Sequence, residues 1–181
     1  MESVEKEQRD STVMESDGER DLSVMALGEE EINKKLANCD NYIGTFALDE
    51  ILNIKIKQYP VNLVVNLDKR ENGGLHWIAL CMYADSIYIC DPIGGLNPSE
   101  NFPSELITFL HTMVYQKQLF ITRQLQCLNS YTCGHYCILF VKLMCKNNNF
   151  ELFQSLFSTD CKQNDKIIHN ILQTFELLKH I

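Results

Sequence analysis

The hydrophobic pattern along the chain changes character several times, and each change predicts an element. Glu30–Ala37 carries apolar residues at helical spacing and reads as a short helix leading into Cys39–Thr45, where Gly44 marks a turn. Val61–Asn66 is short and β-branched, the signature of a buried strand. Asp68–Gly74 is polar and ends in two glycines, so it reads as a loop with a tight turn. His76–Tyr83 and Ser86–Cys90 follow as two strands joined at Ala84-Asp85, a β-hairpin, and Asp91-Pro92-Ile93-Gly94-Gly95 ends that sheet. Pro103–Tyr115 has an apolar stripe at residues 106, 107, 109, 110, 113 and 114 and predicts a helix. Leu119–Thr122 reads as a strand. Cys133–Cys145 is apolar nearly all round and predicts a buried helix, and Phe150–Phe157 and Lys166–Leu178 predict two more. The sum is an α+β domain, helices packed on a small, mostly antiparallel sheet.

Charge changes the picture at one end only. The chain has 181 residues and a formal net charge of −8, but residues 1–31 hold 11 acidic and three basic side chains, which accounts for the whole excess. Residues 32–181 are balanced. Met1 to Glu29 lacks apolar period and is expected to be a disordered acidic tail, with residues 30–181 forming one folded domain. No stretch resembles a secretory signal, and Cys137–Val141, the longest apolar run of the C-terminal half, is too short to cross a bilayer. An intracellular, reduced protein away from membranes is expected, whose eight cysteines stay unbridged. Cys81, Cys90, Cys137 and Cys145 lie in apolar runs and are expected to be buried small hydrophobes.

Three features carry candidate chemistry. His76 opens one hairpin strand and Asp91 follows the other, so the hairpin sets them side by side. A carboxylate there can hold the imidazole in one tautomer and stabilise its protonated form. On this geometry alone a structural ion pair competes with a catalytic one. Cys133 lies where a loop enters the buried helix, and the unpaired N–H groups and dipole of a helix start favour a thiolate. Gly134 beside it removes a side chain and would let a substrate backbone approach. The Cys133 N–H and the Gln126 amide are candidate donors to an oxyanion. A zinc site built from Cys133, His135 and Cys137 with Cys127 or Cys161 is disfavoured, because helix positions two apart diverge and no C-x2-C spacing exists. No metal or cofactor is expected. Trp77 is expected to pack beside His76.

Four segments taken together carry a resemblance: Asn41–Thr45, Glu71–Trp77, Tyr88–Gly94 and Gln126–Cys137. A His-Trp pair, an acid-Pro-x-Gly and a Gln…Asn…Cys-Gly in this order resemble the adenovirus-type cysteine endopeptidases (adenain), and more distantly the Ulp-type SUMO proteases. The likeness runs from about Leu36 to Val141. It implies His76 as base, Asp91 as orienting acid, Cys133 as nucleophile and Gln126 as oxyanion donor. It also implies a papain-like fold with the nucleophile at the start of a central helix against a five-stranded sheet. Gln126 lies seven residues before Cys133, as in the adenoviral branch; Asp91, where that branch has Glu, is the choice of the Ulp branch, and Thr132 stands where the latter has Asp.

The function so implied is a cysteine endopeptidase that cuts precursor proteins of a DNA virus or related element near glycines during virion maturation, in host nucleus and virion. Two rival readings are an isopeptidase for SUMO- or ubiquitin-like tags and an inactive adaptor for Gly-Gly tails; the complete set of Cys, His and Asp opposes the latter. The family's stimulation by DNA is not expected in strength here, since residues 32–181 are neutral and the basic pairs at Lys55–Lys57 and Lys69-Arg70 are small. No cysteine lies between Cys90 and Cys127, where the family's activating peptide attaches, so any such peptide is expected to bind noncovalently.

Overall fold

The computed structural model describes residues 26–94, 102–114 and 116–178. Five strands form one sheet in the order β1 (Tyr42–Phe46), β2 (Val61–Asn66), β3 (Trp77–Met82), β4 (Ser86–Cys90) and β5 (Gln118–Ile121). Helices are α1 (Glu29–Leu36), α2 (Ser104–Met113), α3 (Cys133–Asn147), α4 (Phe150–Ser155) and α5 (Cys161–Leu178). The α+β class holds. The sheet is mixed, however, and not mostly antiparallel: β2, β3 and β4 run antiparallel, while β1 joins β2 and β5 joins β4 in parallel. The parallel pairings come from strands that lie far from their neighbours in the chain and are joined by long crossings, which local pattern does not reveal.

The sheet is covered on both faces, and alternation along the strands divides the core in two. Val64, Ala79, Cys81 and Cys90 face α3 and, around it, α1, α4 and α5. Leu63, Val65, Ile78, Leu80, Met82, Ile87 and Ile89 face α2 and the short helical turn Ile51–Asn53. This is why β2 is buried along its whole length and reads as a continuous apolar run. Helix α3 supplies the largest share of the first layer, with Tyr136 to Val141 and Met144 buried, consistent with a helix apolar nearly all round. Helix α1 docks on it through Ile32 and Leu36; Glu29–Glu31 in its first turn and Lys34-Lys35 in its last suit the helix dipole.

Three expectations need correction. Gly44 does not turn the chain: it lies within β1, at φ +130°, where the register with β2 shifts between Tyr42 and Gly44. A strand glycine of this kind marks a bulge rather than an end. Helix α5 begins at Cys161, a turn and a half before the apolar stripe that starts near Lys166, because its first turns are anchored by polar contacts. Finally, Cys127 and Cys161 are joined in a disulfide, with Cα atoms 5.0 Å apart, although all cysteines were expected to stay unbridged. Their proximity arises from α5 folding back against the loop before α3, a contact across 34 residues that spacing does not announce.

Of the expected acidic tail, residues 1–25 lie outside the described residues, as do Gly95 and Tyr115. Ala26–Gly28 are described and lie against the domain, the Leu27 carbonyl accepting a hydrogen bond from the Trp77 indole at 2.9 Å. Among the described residues no helix is long and apolar enough to cross a membrane.

Candidate active site

His76 is delivered by the loop ahead of β3. Asn66, the last residue of β2, organises that loop: its Oδ1 accepts from the backbone N–H of Asp68 at 3.0 Å and of Leu75 at 3.1 Å. Gly73 and Gly74 both have positive φ, and a Cβ on Gly74 would stand 2.6 Å from Asn66 Nδ2, so the turn demands glycine for both conformation and space. The loop closes where the Leu67 N–H donates to the His76 carbonyl at 2.8 Å. Outside it, Arg70 pairs with Glu50 at 2.6 Å and Glu29 at 3.0 Å, tying the start of α1 to the same loop.

Asp91 follows β4, just past the Ala79–Cys90 register pair. Its backbone is stitched to the segment after β5: Thr122 Oγ1 accepts from the Asp91 N–H at 3.0 Å and donates to the Asp91 carbonyl at 2.9 Å. The Pro92 carbonyl accepts from the N–H groups of Leu125 and Gln126 at 2.8 and 2.9 Å. Gly94, at φ +52°, lets the two segments touch, since a Cβ there would lie 2.3 Å from the Gln124 nitrogen. One set of backbone contacts therefore positions both Asp91 and Gln126.

Cys133 is the first residue of α3, as the sequence predicts. The loop ahead of it is fixed from α5. Asp165 accepts from Thr132 Oγ1 at 2.7 Å, from the Tyr136 hydroxyl at 3.1 Å and from the Cys127 N–H at 3.3 Å. Asn164 Nδ2 donates to the Leu125 carbonyl at 3.0 Å, and the Cys127–Cys161 disulfide holds the loop's middle. Asp165 and Asn164 escaped sequence reasoning: they are ordinary polar residues on an amphipathic helix until the fold turns them toward this loop.

These elements bring His76, Asp91, Cys133 and Gln126 to one groove of about 820 Å³. His76 Nε2 lies 2.8 Å from Asp91 Oδ1, both groups almost wholly buried. His76 and Cys133 line the same groove and interact electrostatically, and with Nε2 on Asp91 it is Nδ1 that is left for the sulfur. Burial opposes a charge on the imidazole. The hydrogen bonds and charges of Asp91 and Cys133 outweigh it, and the His76 pKa rises to about 9. Gln126 is buried, with Nε2 donating to the Ser130 carbonyl at 2.8 Å. An amide nitrogen carries two hydrogens, so one N–H remains for a bound oxygen. The Gln126 Oε1 is buried without a hydrogen-bond partner.

Trp77 lines the groove together with His76, while Gly134 behaves otherwise than expected. The indole of Trp77 reaches Leu27 and the start of α3. A Cβ on Gly134 would meet Leu27 at 3.1 Å, Ile32 at 3.3 Å and Trp77 at 3.5 Å, so the space Gly134 leaves is taken by the protein's own core and not by an approaching substrate. Cys81, Cys90 and Cys137 are buried as expected, burial pushing the Cys81 and Cys137 thiols well up; Cys145 is only half-buried, because it lies near the end of α3.

A cysteine opening a helix, facing an imidazole whose far nitrogen is held by a carboxylate, is the constellation of the thiol peptidases. The model of the adenovirus endoprotease family matches residues 51–159, more than half of the chain, and the chain belongs to that family. It is 32% identical over 108 residues to the protease of Bovine adenovirus 4, a match covering 51% of this chain and 53% of that one. The chain thus aligns with about half the length of this curated relative. Among solved structures it is similar to Chlamydia trachomatis effector protein Cdu1 bound to ubiquitin, at 14% identity and a TM-score of 0.46, covering 85% of this chain and 80% of that one. SUMO protease Ulp1 is similar at 14% identity and a TM-score of 0.44, covering 82% and 78% of the respective chains. These scores mark a loose likeness in overall shape.

Proposed function

We propose that the protein is a cysteine endopeptidase with Cys133 as nucleophile, His76 as general base and acid, Asp91 as the residue that orients His76, and Gln126 as oxyanion donor. The observation that carries this reading is that Cys133, His76 and Asp91 line one groove, with 2.8 Å between His76 Nε2 and Asp91 Oδ1. The Cys133 thiol passes its proton to His76, and the sulfur attacks the scissile carbonyl carbon. Negative charge develops on the carbonyl oxygen. The Cys133 N–H, one of the helix-start donors without an intrahelical partner, and the spare Gln126 N–H can take it up. His76 gives its proton to the leaving amine as the C–N bond breaks, leaving a thioester. Water then attacks, losing a proton to His76, and the C–S bond breaks. Asp91 keeps the imidazole oriented and supports its charge throughout.

The groove supports a substrate with little bulk at the scissile bond: Gly73, Gly74, Leu75, Leu128 and Tyr131 line it beside Cys133. Family membership supports viral precursor proteins as substrates, cut near glycine during virion maturation, with nucleus and virion as the sites of action. The pairing of Arg70 with two carboxylates supports weak DNA stimulation, since it neutralises half of the Lys69-Arg70 pair. The test compares hydrolysis of Leu-x-Gly-Gly-x peptides with labelling by SUMO- and ubiquitin-vinyl probes. Peptide cleavage lost in Cys133→Ala is expected. Labelling by a vinyl probe without peptide cleavage would transfer the assignment to an isopeptidase.

A further inference from the structure

One residue outside the reacting groups touches the chain neighbours of both the nucleophile and the base. Leu27 enters α1 in extended chain, with Gly28 as the helix cap at φ −83° and ψ 169°. The Leu27 carbonyl accepts from the indole N–H of Trp77, the residue after His76, at 2.9 Å. Its side chain stands over Gly134, the residue after Cys133: a Cβ on Gly134 would lie 3.1 Å from Leu27 Cβ and 3.5 Å from Trp77 Cδ1. Beyond that Cβ, Leu27 packs against the core layer around α3. Two residues on, Glu29 pairs at 3.0 Å with Arg70, in the loop that delivers His76. Ala26, Leu27, Gly28 and Glu29 all line the groove that holds Cys133 and His76.

We propose that Leu27 is a positioning residue for the peptidase reaction: seated between Trp77 and the start of α3, it sets the separation of Cys133 and His76. The inference rests on the roles given to those two residues above. Gly134 carries no side chain, so the distance at which the start of α3 packs on Trp77 is decided by whatever fills the space beside it. Leu27 is the nearest of the three groups that do, with Ile32 and Trp77 behind it. Packed interiors leave no slack, so removing this filling lets α3 settle elsewhere.

The imidazole does not follow such a shift. Asp91 Oδ1 holds His76 Nε2 at 2.8 Å, and Asp91 is itself stitched to the segment after β5 through Thr122. A displaced Cys133 therefore moves relative to a fixed base. Proton transfer and attack both depend on that geometry, and a misplacement of about 1 Å can cost ~10²-fold in rate. The charge on His76 responds as well: burial opposes it, while Asp91 and Cys133 support it. A receding Cys133 withdraws part of that support.

The test uses the full chain carrying Leu27→Gly, which strips away the Cβ over Gly134, or Leu27→Met, which keeps that Cβ and the apolar bulk, at a temperature where circular dichroism shows each variant folded. Leu27→Gly should lower kcat on a Leu-x-Gly-Gly-x peptide by roughly 10²-fold with little change in KM. The fall of kcat/KM, expected above about pH 9 in the unaltered chain, should move to lower pH. Leu27→Met should restore both. Trp77→Phe keeps an aromatic ring and loses the N–H given to Leu27, so it should show the same changes in smaller measure, and it carries the comparison should Leu27→Gly not fold. A second arm needs no peptidase activity: labelling of Cys133 by iodoacetamide at neutral pH, read by peptide mapping, should slow in Leu27→Gly toward the rate in His76→Ala and recover in Leu27→Met. An unaltered chain that cleaves no peptide would sink the peptidase reading and leave the labelling arm to decide the role of Leu27. Unchanged labelling, unchanged kcat or an effect confined to KM in the folded variant would overturn the proposal.

Discussion

At the scale of single residues, the His76 imidazole decides most of the expected behaviour. Its pKa of about 9 lies above the ordinary histidine value of 6.5, so its charge is stabilised in the folded protein. The stabilising contribution is fully present below about pH 6.5 and is lost as pH rises through about 9. Activity should follow the same limb, because His76 must be protonated to release the amine. A kcat/KM profile falling above about pH 9 is expected, and in Asp91→Asn that fall should begin at lower pH, since the carboxylate no longer supports the charge. His76→Ala should cost about 10²–10⁴-fold in kcat, and a pH–rate profile unchanged in that variant would exclude it as the base. Gln126→Ala should lower kcat by roughly 10²–10³-fold with little change in KM; an effect confined to KM would make it a substrate-binding residue.

At the scale of elements, the site depends on loops tied to one another more than on the helix that carries Cys133. Gly94→Ala drives a methyl into the Gln124 backbone, so it should disturb both Asp91 and Gln126 and lower activity along with stability. Gly134→Ala meets Leu27 and Ile32 at 3.1 and 3.3 Å, and overpacking of this kind costs about 1–3 kcal/mol, readable as a lower denaturation midpoint. The Cys127–Cys161 bridge closes a loop of 34 residues, and its removal in Cys127→Ala should cost roughly 2–4 kcal/mol of stability. Activity at low temperature should survive, because Asp165 still holds Thr132 and the Cys127 N–H. Complete loss of activity in well-folded Cys127→Ala would mean that the bridge itself sets the Cys133 loop.

At the scale of the whole molecule, Trp77 reports on how the chain ahead of α1 is seated. It is the single tryptophan of the chain, and its indole bonds to the Leu27 carbonyl. Deleting residues 1–28 should red-shift its fluorescence and loosen the start of α3, where Leu27 fills the space beside Gly134. Unshifted emission would show that Leu27 does not seat the indole in solution.

Much of this protein is determined by sequence alone. The hairpin of β3 and β4 sets His76 near Asp91 because strand alternation and a two-residue turn are local matters, and the start of α3 at Cys133 follows from a polar loop meeting an apolar run. Only the tertiary structure decided the rest. The parallel edges β1 and β5, the disulfide between Cys127 and Cys161 and the Asp165 anchor all join residues distant in the chain. Gly134 shows the division most plainly. A glycine beside a nucleophile suggests room for substrate, yet the neighbours that fill the space, Leu27, Ile32 and Trp77, come from two other segments. Local pattern fixes the direction and period of side chains, while what meets them is set by how the layers close, a property of the whole packed core.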